Sequence, residues 1–165
     1  MDQLCGLEFF TKFNLKSGYN QIQIQPGNKW KTTFMTPFSP YHMRVMTFGF
    51  ANTLLCFQQY MDKVFVLLLY KGVEIYLDDI LMHQKTKAKH VERVLSVLKC
   101  LKDVGLYCNP KKCEFHKKVM EFLGVNVSQD GFEMEDKKIV DVQDWQHPTS
   151  VCGMQEFIGF VNFYH

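Results

Sequence analysis

Asp78 and Asp79 stand side by side in the segment VEIYLDDILM, between two short apolar runs. Adjacent carboxylates are hard to bury together, because each opposes ionisation of the other. One solution is an exposed hairpin turn that merely carries two acids. The other is a divalent cation at a strand turn. Magnesium favours carboxylates together with phosphate oxygens, and two such ions can clamp the attacking and leaving oxygens of a phosphoryl transfer. The order Tyr, any residue, Asp, Asp inside apolar strands favours the cation. Cys108, Cys113 and His116 make a poorer case for zinc, since their spacing is irregular and a fourth ligand is missing. Lysines cluster at Lys85, Lys87 and Lys89 and again at Lys111, Lys112, Lys117 and Lys118. They form a solvated face unless they border a groove, where they could track phosphates.

Elements must hold these residues in place. Phe9 to Leu15 reads as a strand that enters a Ser17-Gly18 bend. Tyr19 to Gln25 alternates, with Ile22 and Ile24 on one face and Gln21, Gln23 and Gln25 on the other, which predicts a half-buried strand. Trp30 to Thr36 and His42 to Met46 are further short strands, after a turn at Pro26-Gly27-Asn28. From Asn52 the spacing becomes helical through Phe57, Met61, Val64, Phe65 and Leu68, with Gly72 as the stop. Val73 to Tyr76 and Ile80 to His83 flank the paired acids. Thr86 to Val104 is the clearest helix, with a stripe of Val91, Val94, Leu95, Leu98 and Leu101 and Gly105 at its end. Val119 to Val127 and Phe132 to Met134 make a hairpin around Gln129-Asp130-Gly131. Asp136 to Trp145 and Val151 to Tyr164 complete the chain as helices. The order predicts an α+β fold, an antiparallel sheet with helices on one face.

Composition sets the bounds. The 165 residues can bury one real core, and 47% hydrophobic with 22% charged residues is ordinary for a globular domain. A formal charge of +2 does not by itself demand a nucleic-acid partner. Six cysteines without a C-x-x-C pair read as free thiols. The apolar run Val64 to Tyr70 is too short to span a bilayer, and the Asn126-Val127-Ser128 sequon means little without secretion.

Several blocks together resemble the reverse transcriptase domain of a gypsy-type long-terminal-repeat retrotransposon polyprotein. Tyr76-Leu77-Asp78-Asp79 resembles its YxDD box. FTKFNLKSGYNQIQI resembles its first catalytic segment, WKTTFMT its fingers strands, and VMTFGFANTLLCFQQYM its Met-Pro-Phe-Gly to Phe-Gln box. GLYCNPKKCEF and EFLGVNVSQDG resemble the stretch ending in the primer-grip hairpin, and HPTSVCGMQEFIGFVNFYH the opening of thumb and connection.

The resemblance implies a right-hand polymerase palm with partial fingers over residues 1–128. Residues 129–165 would be the end of the primer-grip hairpin and a truncated start of thumb or connection. It implies RNA-directed DNA polymerisation on an RNA or DNA template with a primer, from deoxynucleoside triphosphates, with two Mg2+ or Mn2+ ions. Asp78 and Asp79 would be catalytic and metal-binding, with the Leu15 backbone carbonyl as a further ligand. Tyr19, Lys31, Phe48, Gly49 and Gln58 would meet the nucleotide, with Tyr19 excluding a 2′-hydroxyl. Tyr76, Phe122, Leu123 and Gly124 would meet the primer. Ribonuclease H and integrase segments are not in this sequence. No membrane partner is expected, and the compartment would be intracellular, cytoplasmic or nuclear.

One departure matters most. Asn14 stands where the family's first catalytic segment has an aspartate. An aspartate offers two anionic oxygens and Asn one neutral carbonyl. The expectation is polymerisation reduced by several orders of magnitude. Thr47 and Leu54 also stand where the family has proline, and Phe38-Ser39-Pro40 replaces an aromatic-Gly pair. The alternative is therefore a non-catalytic, truncated retroelement remnant that at most binds nucleic acid. An unrelated metal-binding α+β domain is a third reading. A palm cut from its neighbours also exposes apolar surface. Phe157, Phe160 and Phe163 in the tail illustrate this, and the expectation is marginal stability with aggregation.

Overall fold

The computed structural model describes residues 7–134 and 136–162. Among them two compact units separate at Lys118 and Val119. Cys5, Phe163 and the last residues of the expected final helix lie outside the described residues.

The first unit contains β1 (Phe9–Asn14), β2 (Phe34–Met35), β3 (Pro40–Tyr41), α1 (Thr53–Val64), β4 (Val73–Tyr76), β5 (Asp79–Gln84), α2 (Lys87–Val104) and β6 (Glu114–Lys117). Four strands form an antiparallel sheet in the order β4-β5-β1-β6. β5 buries four consecutive residues, Ile80 to His83, as a strand inside a covered sheet does. α2 lies against β5 and β1, and α1 beside β4. The α+β layout expected from the order of elements is the one observed.

α1 follows its sequence pattern. Phe57, Met61 and Phe65 recur every fourth residue and are fully buried, and each such side chain stabilises by about 1.5–3 kcal/mol. The helix ends at Val64, so Gly72 is not its stop. Gly72 sits instead in the turn before β4 at φ +88°, where a Cβ would lie 2.6 Å from the His83 carbonyl oxygen. Gly105 does end α2, at φ +72°. The Leu106 N–H donates to Leu101 C=O and the Gly105 N–H to Lys102 C=O, the Schellman pattern.

The buried face of α2 is rotated from the expected stripe. His90, Val94, Val97 and Leu101 face the core, while Val91, Leu95 and Leu98 are exposed. His90 reaches Thr11 of β1, with Nε2 2.7 Å from Oγ1. That contact gives the buried ring a polar partner and sets the helix rotation.

Three expected strands are replaced. Gly18–Gln21 and Pro26–Thr32 are 3-10 turns, and Tyr19 to Gln25 joins a sheet only through an isolated Gln23–Val45 bridge. The Gln21 amide accounts for this, donating to the carbonyls of Lys16 and Tyr107 and accepting from the Tyr107 N–H. Those bonds hold the backbone in a turn that alternation alone does not reveal. Of Trp30 to Thr36 only Phe34 and Met35 are strand, paired with Pro40 and Tyr41, and His42 to Met46 is not a strand apart from the Val45 bridge.

The second unit contains β7 (Met120–Phe122), β8 (Val125–Ser128), β9 (Gly131–Met134), α3 (Asp136–Gln143) and α4 (Val151–Asn162). Its strands form a meander, β7-β8-β9. The expected single strand from Val119 to Val127 is divided by a two-residue turn at Leu123-Gly124. The hairpin at Gln129-Asp130 is as expected, closed by Ser128 opposite Gly131. The Trp145 ring meets that of Phe157 edge-on at 5.9 Å and that of Phe160 tilted at 5.1 Å.

Candidate active site

The β4–β5 hairpin turns on two residues, Leu77 and Asp78, with Tyr76 opposite Asp79 as the closing pair. The apolar strands sink into the sheet and leave both acids half-exposed at its end. The neighbouring strand β1 ends level with them, Asn14 opposite Asp79. The Leu15 N–H donates to the Asp78 carbonyl at 2.9 Å. Because N–H and C=O of one residue in an antiparallel ladder point to the same neighbour, the Leu15 carbonyl faces the hairpin too.

Asn14 closes the group. Its Nδ2 donates to Asp79 Oδ1 at 2.7 Å and to Asp78 Oδ2 at 3.3 Å. Ionised carboxylates only accept, so the amide nitrogen is the end that must face them. Hydrogen bonds to charged groups contribute about 1.5–3 kcal/mol each, and here one neutral amide bridges two anions. Behind it the Asn14 carbonyl accepts from the Asn109 N–H at 2.8 Å.

A cavity of about 520 Å³ opens beside this group, lined by Asn14, Leu15, Gly18, Tyr19, Phe48 and Asp78 on one part and by Lys16, Ser17, Asn109 and Lys112 on the rest. Tyr19 is buried, its ring 4.3 Å from that of Phe48 and 4.5 Å from that of Phe57. Gly18 makes this possible, since a Cβ there would come within 2.8 Å of Phe57 Cζ. Burial first, and then the Asp78 carboxylate, raises the pKa of the Tyr19 hydroxyl above its usual value, so it stays neutral. Burial, and then Cys113 beside it, pushes the nearby Cys108 thiol up to about 12, so it too stays protonated.

The structure thus brings Asn14, Leu15, Tyr19, Phe48 and Asp78 around one cavity, with Asp79 hydrogen-bonded to Asn14 at its edge. Gly49 follows Phe48 at φ +100°, with open space around it. Lys31 is exposed, its ammonium 5.8 Å from the Trp30 ring centroid, and does not line the cavity. Tyr76 is exposed beside the acids. Gln58 does not line the cavity, and its amide lies on the backbone of the hairpin. Phe122, Leu123 and Gly124 form the tip of the first hairpin of the second unit. Sequence reasoning missed Lys16, Asn109 and Lys112 as cavity residues. Lys112 belongs to a lysine cluster that the sequence displays, but 34 positions separate it from Asp78 and only the fold joins them.

Two carboxylates with a backbone carbonyl beside them are donors that a hard divalent cation takes. The third side chain offers N–H groups rather than an anion. The set therefore fits a cation held by Asp78 and Asp79 and is one anion short of three acids. Among the described residues no group of three or more His, Cys, Asp or Glu is arranged to hold a metal ion.

A helix-backed antiparallel sheet with paired acids on a hairpin end is the arrangement that the resemblance to a polymerase palm leads one to expect. The model of the family described as reverse transcriptase (RNA-dependent DNA polymerase) matches residues 1–127, and the chain belongs to that family. It is 34% identical over 161 residues to the transposon Tf2-3 polyprotein of Schizosaccharomyces pombe, covering 98% of this chain. The Tf2-7 polyprotein of the same organism is 33% identical over the same length. The chain spans 12% of the length of these relatives. Its fold is similar to that of a foamy viral protease-reverse transcriptase solved in complex with dsDNA, with TM-score 0.82 and 22% identity over 94% of this chain and 32% of that one. The same kind of protein in complex with an RNA/DNA hybrid gives TM-score 0.80 at 22% identity, covering 94% of this chain and 21% of that one.

Proposed function

We propose that this chain is the palm-centred piece of a gypsy-type retrotransposon reverse transcriptase, and that this copy polymerises poorly. The reaction of an intact site is attack by a primer 3′-hydroxyl on the α-phosphate of a deoxynucleoside triphosphate, with release of pyrophosphate. The observation that carries the proposal is the Asn14 amide bridging Asp78 and Asp79. It supports both parts: two acids meet at the hairpin end where a metal-holding pair is expected, and an amide donor stands where a third acid is expected.

In this reading Asp78 and Asp79, aided by the Leu15 carbonyl, hold Mg2+ or Mn2+. The ion supplies Lewis-acid stabilisation of the charge developing on the transferred phosphoryl group. Tyr19 fills the floor of the cavity where it would exclude a sugar 2′-hydroxyl. Phe48 and Gly49 border the nucleotide, and Lys31 meets its phosphates from outside the cavity. Lys16 and Lys112 add positive charge along the wall. Tyr76 meets the primer end, and Phe122, Leu123 and Gly124 are the primer-grip hairpin. The partners are an RNA or DNA template with its primer, in an intracellular setting, cytoplasmic or nuclear. Among the described residues no helix is long and apolar enough to cross a membrane. Functionally, residues 1–128 act as palm with partial fingers and residues 129–165 begin the thumb or connection.

The second reading is a remnant that binds nucleic acid without catalysis, and the same Asn14 contact favours it. Primer extension on an RNA template with magnesium or manganese separates the two. The chain as it stands is expected to be nearly silent. Asn14→Asp is expected to extend about 10²–10³-fold faster, the scale of one lost electrostatic contact to the transition state. Adding Asp78→Ala is expected to abolish that gain. Extension by the natural chain at the Asn14→Asp rate overturns the impairment, and silence of every variant leaves the remnant.

A further inference from the structure

One side chain of α1 reaches the hairpin that carries the acids. Gln58 Oε1 accepts from the Leu77 N–H at 2.8 Å, and Gln58 Nε2 donates to the Ile75 carbonyl at 3.2 Å and to Asp62 Oδ1 at 2.8 Å. A single planar amide thus meets a donor and an acceptor on the backbone just before Asp78. Asp62 lies one helical turn further along α1 and accepts only, which places the nitrogen of Gln58 on its side and leaves the oxygen for Leu77. Both N–H groups of Gln58 are then occupied, which leaves none for a nucleotide.

The hairpin needs this support. Leu77 has φ +53°, in the left-handed region that a residue with a Cβ avoids. A positive φ at the first residue of a two-residue hairpin is usually given to glycine. The Leu77 N–H lies within the turn, and its bond to Gln58 fixes the plane of the Tyr76–Leu77 peptide, one residue before the first acid. The preceding residue, Phe57, packs on Tyr19, so adjacent positions of α1 hold the cavity floor and the acid-bearing turn.

We infer that Gln58 is a positioning residue. It holds the Leu77 backbone so that Asp78 and Asp79 meet Asn14, and Asp62 keeps its amide correctly oriented. Its value to polymerisation rests on the proposed role of the two acids, but the positioning itself is measurable without any reaction.

The full chain, isotopically labelled, is followed by nuclear magnetic resonance through the Leu77 amide exchange rate and the Asn14 side-chain amide signals. In Gln58→Leu the Leu77 amide is expected to exchange about tenfold faster or more, the equivalent of one lost hydrogen bond. The Asn14 side-chain signals are expected to shift, while the amides of Val94 and Val97 in α2 keep their protection. Gln58→Glu with Asp62→Asn keeps an acceptor for Leu77 and a donor–acceptor pair on the helix but loses the donor to the Ile75 carbonyl, and is expected to recover the Leu77 protection in part. Unchanged Leu77 exchange, an unmoved Asn14 amide, or a loss of protection spread through α2 would each overturn the inference. A silent Asn14→Asp in primer extension would instead count against the polymerase reading and leave these signals as they are.

Discussion

The two leucine-bearing hairpins, one in each unit, solve the same backbone problem differently. Each turns on two residues, and each begins that turn with a leucine at φ +53°, Leu77 in one and Leu123 in the other. In the second unit Leu123 is followed by Gly124 at φ +80°, so both turn residues are left-handed, the I′ geometry that matches strand twist. There the local sequence provides for its own turn. In the first unit the second position is Asp78, whose carboxylate stands at the site. Asp78 is not at positive φ, so this turn is left-handed at Leu77 alone, where the sequence places no glycine. The missing local preference is supplied from a distance, by Gln58 on α1. A turn kept for chemistry leans on its tertiary neighbours, whereas a turn kept for connection carries its own instructions.

Changes at these positions separate the two solutions. The largest effect is expected at Gly124→Val, which forces a β-branched residue to positive φ. It should destabilise the second unit by about 2–3 kcal/mol, read as lost amide protection in β7 and β8 with Leu77 unaffected. Matched losses at Leu77 would mean that the two turns do not stand independently.

Acid is expected to act on the other unit, by up to roughly 2–3 kcal/mol. Burial first, and then the neighbouring His116 and His83, lowers the His90 pKa to about 4 from 6.5. The unfolded chain therefore binds a proton at a pH where the folded one does not. Stability is full above pH 6.5, declines as pH falls from 6.5 towards 4, and loses nothing further to His90 below that. Hydrogen exchange across this range should show β5 and β1 loosening while β7 to β9 hold. His90→Gln should flatten the dependence, and equal loosening of β7 to β9 would refute the assignment to His90.

The smallest effect distinguishes the two leucines. Leu123→Gly relieves a strained φ and is expected to stabilise by about 0.5–1 kcal/mol. Leu77→Gly should gain less, because the Leu77 side chain packs against the core that it would leave. Paired denaturant melts give the comparison, and a larger gain at Leu77 would show that its packing contributes little.

Much of the fold was legible in particular residues. The paired acids between apolar runs marked the hairpin, Phe57, Met61 and Phe65 marked the buried face of α1, and Gly105 marked the end of α2. The acids and Asn14 could be singled out because their residue types carry charge, or its loss, on the surface of the text. Tyr19 to Gln25 misled, because a few alternating residues fit a turn as well as a strand when one of them, Gln21, binds distant backbone at Tyr107. The rotation of α2 misled as well. Val91 and Leu95 are more apolar than His90, yet His90 is buried because Thr11 receives it.

The sequence by itself determined the chemistry that this chain has to offer: two adjacent carboxylates, an amide in place of a third, and alternating strands and helices able to form a palm. These follow from side-chain type and short-range spacing, which any stretch of chain displays. Only the tertiary structure decided that Asn14 bridges both acids, that Lys112 joins their cavity, and that Gln58 serves the hairpin rather than a ligand. Such pairings link groups far apart in the chain. Their geometry is fixed when strands register and helices pack, and no local pattern encodes it.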